Sequence, residues 1–239
     1  MHVGQAVVCS VDSRTDARNK LVSKSDNIPE TLARELRSWS PCRHELMGGQ
    51  SESINFIQLP ENQLALSRSF FGGPENARCG GRRIFTHWIV FERDQLAGHE
   101  NNAIQFSRVV QSSGHLFLQT TFPEQLPLLD VPDWCFQPTE DKIEDKSACM
   151  TDQILRAIEI HHRVVITGKP EPAEFLCSFL SHVPLEKRAE ISFATGLKVI
   201  DSRPYCLQFY PTSDPVIERE LASRQLRTIS FEPDHTPAI

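Results

Sequence analysis

No apolar run in the 239 residues approaches the roughly 20 needed to span a bilayer, so no membrane partner is expected. Lys and Arg gather into no long basic run, and the net charge is −6. Nucleic acid binding by phosphate neutralisation is therefore not expected either. The seven cysteines include no CxxC spacing and are odd in number, which fits reduced thiols better than a disulfide framework. Met1 to Gln5 lacks the basic stretch and apolar segment of a secretory leader, so a cytoplasmic location is expected. There is no internal repeat and no low-complexity tract. What is present is an ordinary globular balance. Hydrophobic residues make up 39%, enough for a core of normal size.

The stretch most informative about architecture runs from Arg78 to Val110. A glycine-punctuated loop (Arg78, Cys79, Gly80, Gly81, Arg82, Arg83) leads into Ile84-Phe85-Thr86-His87-Trp88-Ile89-Val90-Phe91. This run is too short and too β-branched and aromatic for a helix, and it predicts a strand buried on both faces in mid-sheet. Gln5–Val11 predicts a first strand and Asp12–Asp26 an exposed loop. Asn27, Pro29 and Glu30 predict a capped helix whose stripe is Ile28, Leu32, Leu36 and Trp39, stopped by Pro41. Ser53–Leu59 and Gln63–Phe70 predict two strands. In the second, Leu64, Leu66 and Phe70 alternate with Ala65, Ser67 and Ser69, the pattern of a half-exposed strand. Ala103, Phe106, Val109 and Val110 line a short helix behind Asn101-Asn102, and His115–Thr120 reads as a strand.

Beyond a proline-containing, charged seam the pattern alternates between helix and strand. Met150 to Ile158 gives a helix, Arg163–Thr167 a strand, and the segment after Pro172 a second helix. Ile191–Ala194 and Tyr205–Tyr210 give strands, Asp214-Pro215 opens a helix, and Leu226–Phe231 is a closing strand. The fold class is thus α+β or α/β: a mixed-sheet N-terminal half with flanking helices (1–130), a linker (131–146), and a small α/β half with some parallel pairing (147–239).

Five patterns invite chemistry, and each has a plainer reading. Val164 to Pro170 resembles a phosphate loop at Gly168-Lys169. The upstream glycine is missing, however, and Pro170 stands where a hydroxyl should hold magnesium, so a strand-to-helix turn is preferred over nucleotide binding at Lys169. Cys42, His44 and Cys79, with His87 or His115, make one loose ligand pair where structural zinc uses two. No metal and no cofactor are expected. Cys79 sits among arginines that would lower a thiol pKa, ahead of the strand carrying His87, and this is the best enzymatic case. Its plain reading is a free cysteine in a turn and a core histidine. His161-His162 ends a helix, where a cation meets the helix dipole. The arginines of 78–83 read first as a solvated turn, and second as an anion-binding surface.

A family resemblance adds to this. Leu36-Arg37-Ser38-Trp39-Ser40-Pro41, Ser53-Ile54-Asn55-Phe56-Ile57-Gln58-Leu59-Pro60, Leu66-Ser67-Arg68, Gly80-Gly81-Arg82-Arg83-Ile84-Phe85-Thr86-His87 and Asn101-Asn102-Ala103 follow in order. Together they resemble the type-two N-terminal domain of the bacterial GTPase-associated protein family. Glu190-Ile191-Ser192-Phe193-Ala194-Thr195-Gly196-Leu197-Lys198 is similar to the segment that follows this domain in planctomycete relatives. The resemblance spans about Gln5 to Phe231. It implies an adaptor or regulatory protein in GTPase-centred systems, conflict and defence signalling among them, whose partner is a GTPase or another protein of the same system. It carries over no catalytic residues. The expectation is a non-catalytic interaction module with Arg68, Arg78, Arg82 and Arg83 as its partner surface. The alternative is a cysteine-dependent hydrolase or transferase using Cys79 and His87.

Overall fold

The computed structural model describes residues 1–13, 16–42, 44–47, 51–74, 82–117, 119–132, 145–168, 171–210, 214–224 and 226–231. Its strands are β1 (His2–Ser13), β2 (Asp16–Lys24), β3 (Glu52–Gln58), β4 (Gln63–Pro74), β5 (Arg82–Glu92), β6 (Leu129–Asp130), β7 (Val164–Thr167), β8 (Phe193–Ala194), β9 (Leu207–Tyr210) and β10 (Arg227–Ser230). Its helices are α1 (Glu30–Trp39), α2 (Arg93–Ala97), α3 (Ala103–Ser112), α4 (Asp145–His161), α5 (Pro172–His182), α6 (Leu185–Arg188) and α7 (Pro215–Ser223). The strands form one mixed sheet in the order β10-β7-β9-β8-β3-β4-β5-β1-β2, with β6 paired to β1. None of these helices is long and apolar enough to cross a membrane.

The sheet is antiparallel from β2 to β3 and parallel from β8 to β10. The two parts meet where β8 runs antiparallel to β3, pairing Phe193 with Phe56 and Ala194 with Asn55. One apolar cluster covers the first face across both parts. It joins Phe56, Leu64, Leu66, Ile89 and Phe91 to Phe193, Ile166 and Phe209, under α3, α4 and α5. The segments 1–130 and 147–239 therefore share a sheet and a core. α1 packs on the second face through Leu32, Ala33 and Leu36 against Ala6, Val8 and Trp88. α7 packs on the same face further along, through Leu221 against Val165.

β5 lies between β4 and β1, as its apolar run predicts. Asn102 caps α3 by accepting from the amides of Ile104 and Gln105, and Asp214 caps α7 through Val216. Three expectations change. Asp12–Asp26 is no loop, because β1 continues to Ser13 and β2 returns antiparallel along it. Asn27 does not cap α1. Its side chain accepts from the Ser25 hydroxyl and lies over Gly4, where a Cβ would fall 2.8 Å from Asn27 Oδ1. His115–Thr120 forms no strand in its described residues: Leu116 takes φ +55°, and its carbonyl is held by Arg68.

Candidate functional site

The arginine loop is the first place to look. The β4–β5 hairpin closes with Pro74 opposite Arg82, and Arg83 beside it is half-buried. Arg78 and Cys79 lie outside the described residues. Arg68 is not the exposed neighbour it was expected to be. Its Nε donates to Glu52 Oε2 at 2.9 Å, its Nη1 donates to the Leu116 carbonyl at 3.0 Å, and its side chain is 16% exposed. A guanidinium held this way positions the 113–117 turn against the sheet and has little left to offer a partner.

His87 stands opposite Arg68 on the first face. Gln5 Nε2 donates to the Pro127 carbonyl at 2.7 Å, which leaves Gln5 Oε1 to accept from His87 Nε2 at 2.8 Å. The Phe122 ring meets the imidazole edge-on at 6.1 Å. Burial, with a smaller push from His115, lowers the His87 pKa to about 4. At neutral pH the imidazole is neutral and enclosed, with Nδ1 unpartnered among the described residues. Five residues of extended strand separate it from Arg82, about 17 Å at ~3.4 Å per residue. Its enclosure and its bond to Gln5 are those of a core histidine.

Lys169 lies outside the described residues. Around it, Gly168 at φ +78° donates to the Tyr210 carbonyl, and Thr167 Oγ1 donates to Glu218 Oε1 at 3.0 Å. The neighbouring strands β7 and β9 lead to α5 and α7, which pack on opposite faces. Among the described residues no group of three His, Cys, Asp or Glu side chains is placed to hold a metal ion.

The second face carries a feature that the alternation of residues concealed. Ser67 and Ser69 are not half-exposed; both are fully buried, as are Ser53 and Asn55. Ser53 Oγ donates to Asn55 Oδ1 at 2.6 Å, and Asn55 Nδ2 donates to Ser67 Oγ at 3.1 Å and Ser69 Oγ at 3.3 Å. Ser69 and Thr86 share a bond of 3.0 Å. From across the seam the Gly196 amide donates to Ser53 Oγ at 2.9 Å, and Thr195 Oγ1 accepts from the Ile54 amide. Gly196 approaches so closely that a Cβ would fall 2.5 Å from the Glu52 carbonyl oxygen. The hydroxyls and the carboxamide form a ladder across β3, β4 and β5, satisfied within the protein.

A buried ion pair extends this polar layer. Arg203 bonds Glu45 while donating to the carbonyls of Ser38 at 3.0 Å and Ser40 at 3.1 Å. Trp88 Nε1 donates to Ser40 Oγ at 2.8 Å, and the Lys198 amide donates to the Glu45 carbonyl at 2.7 Å. Burial, then Glu45, pushes the Cys42 thiol up, away from the thiolate a nucleophile needs. Burial also raises the nearby Tyr205 phenol, whose hydroxyl has no partner among the described residues.

Open grooves mark the surface of the described residues. One of about 370 Å³ lies between Glu52 and the start of α5, lined by Glu171 and Glu174. Another, of about 510 Å³, lies between α4 and β10 and is lined by Asp152, Arg156, Ile160, His161 and Arg227. Sequence reasoning missed the second. Its one signal was Ile160 standing among polar residues on the outer side of a helix.

No protein-family model matches this chain, and no curated protein and no solved structure matches it.

Proposed function

We propose that the chain is a non-catalytic adaptor or regulatory module that binds a protein partner in the bacterial cytoplasm, in a GTPase-centred system like those of the family its motifs resemble. The observation that carries this reading is the commitment of three chemically capable side chains among the described residues to internal bonds. His87 is neutral and enclosed, Arg68 is locked to Glu52, and Arg203 is locked to Glu45. The motif residues Ser53, Asn55, Ser67, Thr86, Thr195 and Gly196 lie together in the buried polar layer, so they serve the shape of the module and leave binding to its surface. The partner is a GTPase or another protein of the same system, and Arg82 and Arg83 belong to the contact surface together with Arg78.

The test is affinity capture of the tagged protein from its native lysate, loaded in parallel with a GTP analogue and with GDP and read by mass spectrometry. A GTPase recovered in one nucleotide state supports the reading, and its loss with Arg82→Glu/Arg83→Glu places the contact. Recovery of no partner in either state overturns it. The alternative, a cysteine-dependent hydrolase or transferase using Cys79 and His87, requires that Cys79 react with iodoacetamide faster than the other cysteines at neutral pH.

A further inference from the structure

We infer that the groove between α4 and β10 docks an acidic segment of a protein partner, carried by an apolar residue that seats on Ile160. The inference rests on the adaptor reading and names the chemistry of what is bound. Six arginines of the described chain are neutralised by carboxylates: Arg68, Arg108, Arg163, Arg188, Arg203 and Arg224. Arg156 and Arg227 line the groove together and, like Arg34, Arg37 and Arg93 elsewhere, form no ion pair among the described residues. One carboxylate, Asp152, lines the groove beside them, within a chain of net charge −6. The groove thus runs against the charge of the molecule as a whole, and guanidinium forks match carboxylates in pairs. Ile160 is 71% exposed beside it, an apolar side chain with no covering element among the described residues. At about 510 Å³ the groove has the volume of a few side chains. β10 ends the sheet, six strand positions from β5, or about 29 Å at ~4.8 Å per strand. The groove is therefore a surface separate from the strand β5 that carries Arg82 and Arg83.

The experiment is fluorescence anisotropy of the full chain with a labelled peptide of Glu-Leu repeats, beside Gln-Leu and Lys-Leu peptides. Saturable binding of the Glu-Leu peptide alone is expected. Arg156→Glu/Arg227→Glu should weaken it about tenfold or more and create binding of the Lys-Leu peptide, a charge swap that a merely misfolded variant would not show. Ile160→Asp should weaken the Glu-Leu peptide without the swap. Equal binding of the Gln-Leu peptide, no saturable binding, or indifference to charge reversal overturns the proposal. So does displacement by inorganic triphosphate at the peptide's own concentration, which would make the groove a phosphate site. Self-association by light scattering that the same reversal dissolves assigns the groove to a second copy and also overturns it. A captured partner that binds wild type and the reversed variant equally removes the groove while leaving the adaptor reading standing.

Discussion

Across the seam between β3 and β8 the two faces of the sheet are joined in different ways. On the first face Phe56 lies against Phe193, with ring centroids 5.7 Å apart inside a continuous apolar cluster. On the second, Ser53 and Asn55 meet Gly196 and Ala194 through directed hydrogen bonds, and Arg203–Glu45 clamps the segment after α1 to the loop before β9. Apolar contact is non-directional and stabilises almost any arrangement that removes area from water. A buried hydrogen-bonded ladder tolerates only the register that satisfies it, because an unmatched hydroxyl or carboxamide in the interior costs free energy. The first face holds the two parts together; the second fixes how they fit.

The contrast can be broken from either side. The largest effect is expected for Phe56→Ala, which opens a cavity at the apolar seam and should cost about 3–5 kcal/mol in urea unfolding. Arg203→Met alone should cost about 3 kcal/mol or more, since it strands the Glu45 carboxylate in the interior. Adding Glu45→Leu should recover much of that loss, an epistasis absent at Phe56; failure to recover would show that the clamp acts through its carbonyl contacts instead.

His87 tests an exception, a polar group on the apolar face. Its folded pKa of about 4 lies below the ordinary value of 6.5, so the unfolded chain takes up the proton first. Its share of stability is complete above about pH 6.5, falls as the pH drops toward 4, and changes no further below that. The total is about 3 kcal/mol at 1.36 kcal/mol per unit. His87→Gln should flatten the stability–pH curve in that window relative to wild type, and an unchanged slope would remove the assignment. The smallest effect is expected for Asn55→Ala, about 2 kcal/mol, from the bonds lost by Ser53, Ser67 and Ser69. Hydrogen exchange in that variant should rise at the β3–β4 amides before it rises at β7 and β9.

Much of this architecture was legible locally. β5 announced itself by composition, α3 and α7 by Asn102 and Asp214, and α5 by Pro172 at its first position. What failed was decided by distant residues. β2 reads as loop because as an edge strand it packs beside only one neighbour, and a polar sequence suffices there. Asn27 is a good cap in isolation, but Gly4, far back in the sequence, admits it elsewhere. Ser67 and Ser69 alternate as a solvent-facing row would, and alternation cannot say whether water or protein covers that row. The site was less legible still. Arg156 and Arg227 are separated by most of the second half of the chain, and only the packing of α4 against β10 makes them neighbours.

The two-rung junction of β3 with β8 also bears on the order of folding. Its partners, Asn55 with Ala194 and Phe56 with Phe193, are more than a hundred residues apart in the chain. Closing so long a loop is slow, and the contacts that compensate for it form only afterwards. Until then β3 and β8 each present an open edge, the template on which strands of other chains add. A cut within 131–146 would make that condition permanent. The fragments are expected to aggregate when produced separately and to yield native protein only when both are present during refolding.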